Sequence, residues 1–474
     1  MSKGEIRLLN YFNFKKFEDK YLLTNDLGRN VFVDEDTFHA LLNGSPIDET
    51  VKQLLLDNFF IYEEHSTVFA ERVKRELRES KNYLFSSTSL HIFVLTNVCN
   101  MSCVYCQAKD DEAIVQKLMS KETAEKCVDV ALSSPSRFLT FEFQGGEPLA
   151  NFEVLKHIVL YTQKKKGSKS ITFSLVSNLT LLTEEKLAFL MEYDVSISTS
   201  IDGFENLHNK NRPFSNGSGT YRIVEKKIKL LQDHQCPVGA IQTTTRQSLP
   251  YPKEIVDAYI KLNQTNIFIR PLTRLGTAAR VWDEVGYTPE EFLVFYRECL
   301  QYIIQQNLEG VEIKENHASI FLKKILTGTA VNYMELRSPC GASVGQIAYF
   351  YDGNVFTCDE GRMLYEMGMD DFKIGNVYEN TYDDMMQSTA CKAVCVASLL
   401  EGQIKCCDCV YQPYCGTCPV INLALEKDLF VKNTQSFRCK IYGGILDIIF
   451  ALLKNGSPEE IAVLKKWIGV GCNE

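Results

Sequence analysis

Residues 99–106 read Cys99-Asn100-Met101-Ser102-Cys103-Val104-Tyr105-Cys106 and place three cysteines on one short loop. Spacings of three and two residues can bring the three thiolates to three corners of one cube. A [4Fe–4S] cluster needs four ligands, so three cysteines leave one iron open to another molecule. The alternative is a structural zinc site, which would require a fourth protein ligand nearby, and none is in view.

On both sides of this loop, strand-like and helix-like segments alternate. Apolar runs predict strands at 91–95, 138–143, 171–176, 195–200, 238–243 and 267–271, and amphipathic segments predict helices at 121–132, 152–164, 184–191, 221–233 and 253–262. Thr288-Pro289-Glu290-Glu291 predicts the start of a further helix that reaches about residue 306. Repeated βα units favour a parallel sheet with helices outside it. The predicted fold class is therefore α/β, with about six units in a partial, TIM-like (β/α)6 barrel.

Several segments match a known family. Cys-x3-Cys-x2-Cys, with Tyr105 before the last cysteine, resembles the signature of radical S-adenosylmethionine (SAM) enzymes. Three later segments match the family in its order: Gln144-Gly145-Gly146-Glu147-Pro148; Ser200-Ile201-Asp202-Gly203 with residues 208–212; and Ile269-Arg270-Pro271-Leu272 followed by Gly276. Each segment alone is usually only a turn. Four in the family's order identify the chain as a member over about residues 89–440.

The resemblance implies a [4Fe–4S] cluster on Cys99, Cys103 and Cys106, with SAM chelating its open iron. The SAM-binding residues that it implies are Tyr105, Gly145, Gly146, Glu147, Ser177, Asn178, Ser200, Arg212, Arg270 and Leu272. Among them, the Gly-Gly-Glu segment would hold the SAM amino group, Arg212 suits its carboxylate, and residues 269–272 would flank adenine. In the family, one electron from the cluster cleaves SAM to a 5′-deoxyadenosyl radical, which abstracts hydrogen from an unactivated C–H bond.

A second group of cysteines follows: Cys340, Cys358, Cys406, Cys409, Cys415, Cys418 and Cys439. It resembles the SPASM extension of peptide-modifying radical SAM enzymes, which binds two auxiliary [4Fe–4S] clusters. The resemblance assigns Cys340, Cys358 and Cys418 to the first auxiliary cluster, and Cys406, Cys409, Cys415 and Cys439 to the second. The alternative is a double zinc ribbon, which is credible from spacing alone.

Two features depart from the SPASM pattern. The gap from Cys415 to Cys418 holds two residues where three are usual, and no cysteine follows soon after Cys340, where residues 341–346 read Gly-Ala-Ser-Val-Gly-Gln. The first auxiliary cluster is therefore predicted to have an open iron, to which a substrate cysteine thiolate could bind. Cys391, Cys395 and Cys407 have no assigned role, and the first two are either core residues or a misassigned ligand.

Residues 1–86 predict a winged-helix-like domain, with short strands near 12–17, 21–23 and 30–33 and helices near 35–42, 48–58 and 71–81. This order resembles the precursor-recognition element of maturases of ribosomally made peptides. Such a domain offers a strand edge, here residues 31–33, to a disordered leader. The alternative is a generic winged-helix appendage. The remaining predicted units are the barrel at 87–305, a helical bridge at 306–337, a SPASM domain at 338–440 and C-terminal helices at 441–474.

Composition limits the partners. The chain has 474 residues, a net charge of −9 and seventeen cysteines. The negative charge argues against nucleic acid, and no segment approaches the roughly 20 apolar residues that cross a bilayer. Since no export signal is recognisable at the N-terminus, a cytoplasmic protein is expected, in which cysteines are more often metal ligands than disulfides.

Together these features predict a radical SAM maturase of a ribosomally made precursor peptide with a leader, served by a low-potential flavodoxin- or ferredoxin-like electron donor. The preferred product is a cysteine thioether to an acceptor carbon, as in sactipeptides and ranthipeptides. Residues 337–341 and 358–362 also resemble maturases of His-Xaa-Ser systems. The alternatives are a C–C or C–O (cyclophane-type) cross-link, formylglycine formation from Cys or Ser, and a non-catalytic zinc-binding or electron-transfer protein.

One residue is a candidate for acid–base catalysis. Asp359 follows Cys358 directly, and in sulfatase-maturing relatives an acid at this place acts as a base toward the substrate. The alternative is a surface Asp-Glu pair.

Overall fold

A computed structural model of the protein describes residues 8–62, 67–109, 117–430 and 436–470. The N-terminal unit comprises β1 (Leu8–Leu9), β2 (Asn13–Phe17), β3 (Lys20–Thr24), β4 (Asn30–Asp34), α1 (Glu35–Asn43), α2 (Glu49–Asp57), β5 (Ile61–Tyr62) and α3 (Thr67–Ser80). Strands β2, β3 and β4 form an antiparallel sheet in that order, while β1 pairs with β5. The three strands and three helices lie where the sequence predicts them. The β1–β5 pair was not predicted, and the winged-helix description stays a prediction.

The central part follows the predicted alternation. Its elements are β6 (Leu90–Val94), α4 (Lys121–Leu132), β7 (Phe138–Gln144), α5 (Phe152–Lys165), β8 (Ser170–Val176), α6 (Glu184–Glu192), β9 (Val195–Ser200), α7 (Glu205–Asn211), α8 (Tyr221–Asp233), β10 (Val238–Thr243), α9 (Pro252–Lys261) and β11 (Asn266–Arg270). Strands β6 to β11 are parallel and lie side by side in chain order. The α/β fold with a largely parallel sheet is thus as expected.

The sheet extends beyond the six predicted strands at both ends. The next elements are α10 (Gly276–Arg280), α11 (Trp282–Val285), α12 (Pro289–Leu308), β12 (Lys314–Glu315), α13 (Asn316–Thr327), β13 (Gln346–Tyr349), β14 (Asn354–Phe356), α14 (Asp359–Glu366) and β15 (Lys373–Asn376). Strand β12 pairs in parallel with β11, and β13 pairs in parallel with β6, followed by antiparallel β14 and β15. The cysteine-rich segment therefore continues the central sheet.

The C-terminal helices are α15 (Tyr382–Met386), α16 (Thr389–Ala397), α17 (Pro419–Glu426), α18 (Phe437–Asn455) and α19 (Pro458–Trp467). Helix α18 begins at Phe437, before the C-terminal helices predicted from residue 441, because the side chain of Ser436 caps it by accepting from the Cys439 N–H. The boundaries predicted at 305/306 and 440/441 fall inside α12 and α18, two continuous helices. The division into domains otherwise stays a prediction.

Strand β7 shows that the two faces of the central sheet differ in polarity. Because successive side chains on a strand point to opposite faces, Phe141 and Phe143 are buried in the main hydrophobic core with residues of α4 and α5. Glu142 and Gln144 lie on the opposite face. The helix-covered face therefore supplies apolar burial, and the other face carries polar side chains.

The N-terminal unit packs on the cysteine-rich segment. The Asn13 amide donates to the carbonyls of Cys407 and Cys409 at 3.1 and 3.2 Å, and the Thr24 hydroxyl donates to the Val410 carbonyl at 2.7 Å. The Lys15 ammonium pairs with Asp447 of α18 at 2.5 Å. Backbone carbonyls of one unit are thus satisfied by side chains of the other.

Glu315 fixes the edge of the sheet next to β11. Its buried carboxylate accepts hydrogen bonds from the Tyr296 hydroxyl at 2.6 Å, the Ala318 N–H at 2.5 Å and the Ile269 N–H at 3.1 Å. Burial nevertheless raises the pKa of Glu315 to about 7. Because the folded-state pKa is raised, the stability that Glu315 contributes is present at low pH and is lost as the pH rises through about 7.

Replacement of Tyr296 by Phe removes one donor to the Glu315 carboxylate. We expect a loss of about 1–3 kcal/mol in unfolding free energy at about pH 8, where the carboxylate is ionised, and a smaller loss at about pH 5.5. Urea unfolding at both pH values measures the difference. The control is Tyr302→Phe, on the same helix as Tyr296, which removes an exposed hydroxyl that donates to Asp257. Equal losses at both pH values would contradict the assignment.

Candidate active site

The loop of Cys99, Cys103 and Cys106 follows β6 and is held by backbone hydrogen bonds to the segment after α7. The Ser102 N–H donates to the Pro213 carbonyl at 2.8 Å, and the Val104 N–H donates to the Asn211 carbonyl at 2.9 Å. These backbone hydrogen bonds hold the cysteine loop at the carboxyl end of the sheet. The sequence placed the three cysteines correctly beside the first strand of the parallel series.

Polar donors surround the sulfur atoms. The Arg212 guanidinium lies 4.0 Å from Cys103 Sγ, and the Asn178 amide lies 3.8 Å from Cys99 Sγ. Burial raises the pKa of Cys99 to about 11 and that of Cys103 to about 12. A buried thiolate is disfavoured unless a cation accompanies it, and metal binding deprotonates a thiol. The donor set therefore fits an iron–sulfur cluster.

Gly145, Gly146 and Glu147 form a tight turn after β7. A Cβ on Gly145 would stand 2.3 Å from the Thr96 carbonyl oxygen, and one on Gly146 would stand 2.3 Å from that of Val98. Gly145 also has φ of +147°, which an L side chain rarely adopts. The two glycines thus let the turn lie directly against the chain that leads into the cysteine loop.

Glu147 is fully buried and bonded within the protein. Its carboxylate accepts from the Ser177 hydroxyl at 2.7 Å, the Asn178 N–H at 2.8 Å and the Leu149 N–H at 3.0 Å. It therefore ties the turn after β7 to the turn after β8 and gathers three predicted SAM-binding residues, Glu147, Ser177 and Asn178. Their contacts with SAM stay predictions.

Asp202 is a central residue whose role sequence reasoning missed, although it stands in the quoted Ser-Ile-Asp-Gly segment after Ser200. Its buried carboxylate accepts from the Tyr105 hydroxyl at 2.6 Å and from Arg212 Nε at 3.1 Å. The Arg212 guanidinium also lies 5.2 Å from the centre of the Tyr105 ring. One acid thus joins the cysteine loop to the cation beside it, at the end of β9.

A cavity of about 450 Å³ separates the end of β11 from the cysteine-rich segment. Cys340, Cys358 and Cys418 line it, together with Arg270 and Leu272. The structure thus brings the three cysteines predicted for the first auxiliary cluster together, and it does so next to the predicted adenine-flanking strand.

Arg270 is committed to an ion pair in this cavity. Its guanidinium donates to Glu335 at 2.6 Å and to the Tyr333 hydroxyl at 3.1 Å, and Arg438 reaches the same carboxylate at 3.5 Å. Although burial opposes ionisation, the two guanidiniums lower the pKa of Glu335. No sequence signal marked Glu335 or Arg438, because their pairing joins segments about a hundred residues apart.

The four cysteines predicted for the second auxiliary cluster also lie together. The thiol of Cys406 interacts electrostatically with those of Cys409, Cys415 and Cys439, and burial raises its pKa to about 12. Across the described ranges, no three Cys, His, Asp or Glu side chains converge closely enough to hold one metal ion. A [4Fe–4S] cube binds each thiolate at a separate iron.

Asp359, the predicted base, lies outside the lining of the cavity. The Arg362 guanidinium donates to its carboxylate at 2.6 and 3.1 Å, and Asp359 is an electrostatic neighbour of Glu142 on β7. The alternative of a surface Asp-Glu pair is wrong, because Asp359 is only 8% exposed and is held by a buried arginine. Its catalytic role stays a prediction.

The spare cysteines also have defined places. Cys391 and Cys395 lie one turn apart on α16, where their thiols are electrostatic neighbours, and Cys395 interacts electrostatically with Cys340. Cys407 contributes its carbonyl to the contact with Asn13. In the part of the chain that the structure describes, no helix combines the length and hydropathy needed to cross a membrane.

Comparison with known proteins agrees with this geometry. A model of the radical SAM superfamily matches residues 93–258. An uncharacterised protein of Methanocaldococcus jannaschii, MJ0907, is 31% identical over 176 residues, which cover 37% of this chain but only 60% of that protein. A cysteine-type anaerobic sulfatase-maturating enzyme of Clostridium novyi is 23% identical over 336 residues, which cover 69% of this chain and 87% of the enzyme.

Two solved structures share the fold. Native anSMEcpe with bound AdoMet (SAM) superposes with a TM-score of 0.67 at 20% identity, covering 80% of this chain and 99% of that one. Streptococcus suis SuiB bound to its precursor peptide SuiA superposes with a TM-score of 0.53 at 15% identity, covering 91% of this chain and 99% of that one. The second match includes more of this chain than the first.

Replacement of Gly146 by Ala tests the glycine turn. Because the new methyl group would overlap backbone oxygen atoms at 2.3 and 2.8 Å, the turn must move away from the cysteine loop. We expect SAM affinity to fall about tenfold or more, which corresponds to about 1.4 kcal/mol, as measured by equilibrium binding to the anaerobically reconstituted protein. Gly443→Ala, on α18 with no atom within 4 Å, should bind as the wild type does, and equal affinity in both variants would contradict the assignment.

Proposed function

We propose that this chain, which belongs to the radical SAM superfamily, is a maturase that forms a thioether between a cysteine sulfur and an acceptor carbon of a ribosomally made peptide. The chain is a SAM-dependent enzyme with a [4Fe–4S] cluster. The peptide substrate, the two auxiliary clusters and the bond formed are the proposed parts. The observation that supports this proposal most strongly is the cavity lined by Cys340, Cys358 and Cys418.

The chain's own residues bind and orient the reactants. Cys99, Cys103 and Cys106 hold the first cluster, and Arg212 supplies a fixed positive charge beside it for the SAM carboxylate. The bound cluster and SAM together supply a radical that removes one hydrogen atom from the substrate.

The auxiliary sites would complete the reaction. Thioether formation breaks one S–H and one C–H bond and makes one S–C bond, so two electrons and two protons leave the peptide. Bound SAM would take up one hydrogen atom, solvent one proton, and the clusters that the seven cysteines would hold one electron. A low-potential flavodoxin- or ferredoxin-like protein is the proposed donor that supplies the electron for SAM cleavage.

The cavity supports a thiol substrate in particular. Its three cysteines can ligate three irons of a cube, which leaves the fourth for a sulfur of the peptide. Gln346 is also among the residues that line the cavity. A substrate cysteine bound there would be activated as a thiolate and held beside the end of β11.

The N-terminal unit is the proposed recognition site for the leader. In the order β2-β3-β4, strand β4 is an edge strand among the described residues, so residues 31–33 can accept another strand. The comparison structure of SuiB holds a precursor peptide. The contacts of Asn13 with Cys407 and Cys409 join this unit to the second auxiliary site.

Formylglycine formation is the second candidate. The Clostridium novyi relative is a cysteine-type sulfatase-maturating enzyme, and Asp359 lies next to Cys358 and close to the polar face of β7. Its ion pair with Arg362 orients the carboxylate but also stabilises its charge. A substrate base at this place would have to work against that pairing.

The reaction is tested with candidate precursor peptides from small open reading frames near this gene. Under anaerobic conditions with SAM and reductant, we expect 5′-deoxyadenosine and a peptide that has lost two hydrogen atoms and one alkylatable thiol, as read by mass spectrometry. Iron should reach about twelve atoms per chain. Cys99→Ala with Cys103→Ala and Cys106→Ala should abolish both products, whereas Cys127→Ala, in the core of α4, should not.

The product separates the two candidates. A thioether retains the peptide sulfur, formylglycine made from cysteine loses it, and formylglycine made from serine creates an aldehyde without consuming a thiol. Iron-free protein that contains zinc would contradict both.

Binding of the substrate thiol is tested by electron paramagnetic resonance of the reduced holoenzyme with saturating SAM. We expect the precursor peptide to change the signal of the first auxiliary cluster, because a sulfur replaces another donor at one iron. The same peptide with its cysteines replaced by serine should leave that signal unchanged. A signal that the cysteine peptide does not alter would contradict the open iron.

A further inference from the structure

Glu360 is a cavity residue to which the proposed reaction gives no role. It stands two residues after Cys358, in the first turn of α14, and its side chain lines the cavity that Cys340, Cys358 and Cys418 also line. The electrostatic neighbours of all three thiols include Glu360. An acid and three thiols therefore face one space.

The other acids of this cavity are accounted for. Glu335 is paired with Arg270 and Arg438, and Glu426 is exposed at the edge. Within the described residues, the Glu360 carboxylate has no side-chain hydrogen-bond or ion-pair partner. Its electrostatic neighbours include two acids, Glu335 and Asp359, and one cation, Arg270.

Glu360 is partly exposed. A carboxylate that faces other acids without a partner is unfavourable, and a bound cation is one of the ways in which proteins compensate it. The three thiols beside Glu360 also need a compensating cation when they are ionised, and an iron–sulfur cube binds cysteines as thiolates. Gln346 also faces the cavity. Its amide is neutral, so it cannot offset the positive charge of iron as a carboxylate can.

We propose that Glu360 is the fourth, exchangeable ligand of the first auxiliary cluster, an inference that rests on the proposed binding of that cluster by Cys340, Cys358 and Cys418. A carboxylate oxygen is the hardest of the four donors, so it is the one that a soft substrate thiolate displaces. The exchange balances without electron transfer: the iron–oxygen bond breaks, the iron–sulfur bond forms, and the proton of the incoming thiol passes to the departing carboxylate.

The test uses the anaerobic holoenzyme with saturating SAM, which occupies the open iron of the first cluster, and free L-cysteine as the probe. We expect Glu360→Gln to keep its iron, to change the electron paramagnetic resonance signal of the reduced auxiliary cluster, and to bind L-cysteine about tenfold more tightly or better than the wild type. Glu426→Gln, which changes an exposed acid at the same cavity, should match the wild type in signal and affinity.

A second variant guards against a folding defect. If Glu360→Gln loses about four irons per chain while Glu360→Asp keeps them with an altered signal, ligation by the acid is supported. Signals and cysteine affinities that are identical in Glu360→Gln, Glu360→Asp and the wild type overturn it. Full iron in the triple variant Cys340→Ala, Cys358→Ala, Cys418→Ala would instead contradict the proposed cluster site, so the two failures are distinguishable.

Discussion

The buried carboxylate of Asp202 is the contact on which the arrangement of the active site depends. It binds Tyr105 in the cysteine loop and Arg212 after α7, and the Thr243 N–H of the next strand lies 3.4 Å away. Loss of one partner of a buried ion pair leaves an uncompensated charge, which is strongly destabilising. The loop, the cation beside Cys103 and the ends of β9 and β10 therefore keep one relative position, which a site for a small chelating molecule requires.

The cysteine-rich segment is built on a different principle. Its helices α14 to α17 are short and its secondary hydrophobic cluster is small, with Cys340, Cys358 and Cys418 among its members. In proteins, a small apolar core is often supplemented by a bound metal, and the proposed clusters would have that role here. It is anchored at both ends, since β13 pairs with β6 in the central sheet and Cys439 lies in the first turn of α18.

The local sequence predicted most elements of the central sheet, because hydrophobic residues recur with different periods in strands and in helices. The helix at 121–132 and the strands at 195–200 and 238–243 agree with the structure to the residue. The cysteine groups were also visible, since ligand spacing is local. The sequence could not predict contacts between distant segments. These are the pairing of β13 with β6, the ion pairs of Glu335 with Arg270 and Arg438, and the position of Glu360, rather than Asp359, at the cavity. These depend on segments far apart in the chain, for which one sequence carries no periodic signal.

Helix α18 carries a further consequence. Cys439 stands in its first turn, and Asp447, about two turns further along, pairs with Lys15. Lys454, near the end of the helix, pairs with Glu18 and Asp19 of the N-terminal unit. The same unit holds two carbonyls of the Cys406–Cys409 loop through Asn13. Exchanging this unit for another would therefore require an inserted module that reproduces Asn13, Lys15 and the acidic turn at 18–19, or the Cys406–Cys409 loop would lose its outer support.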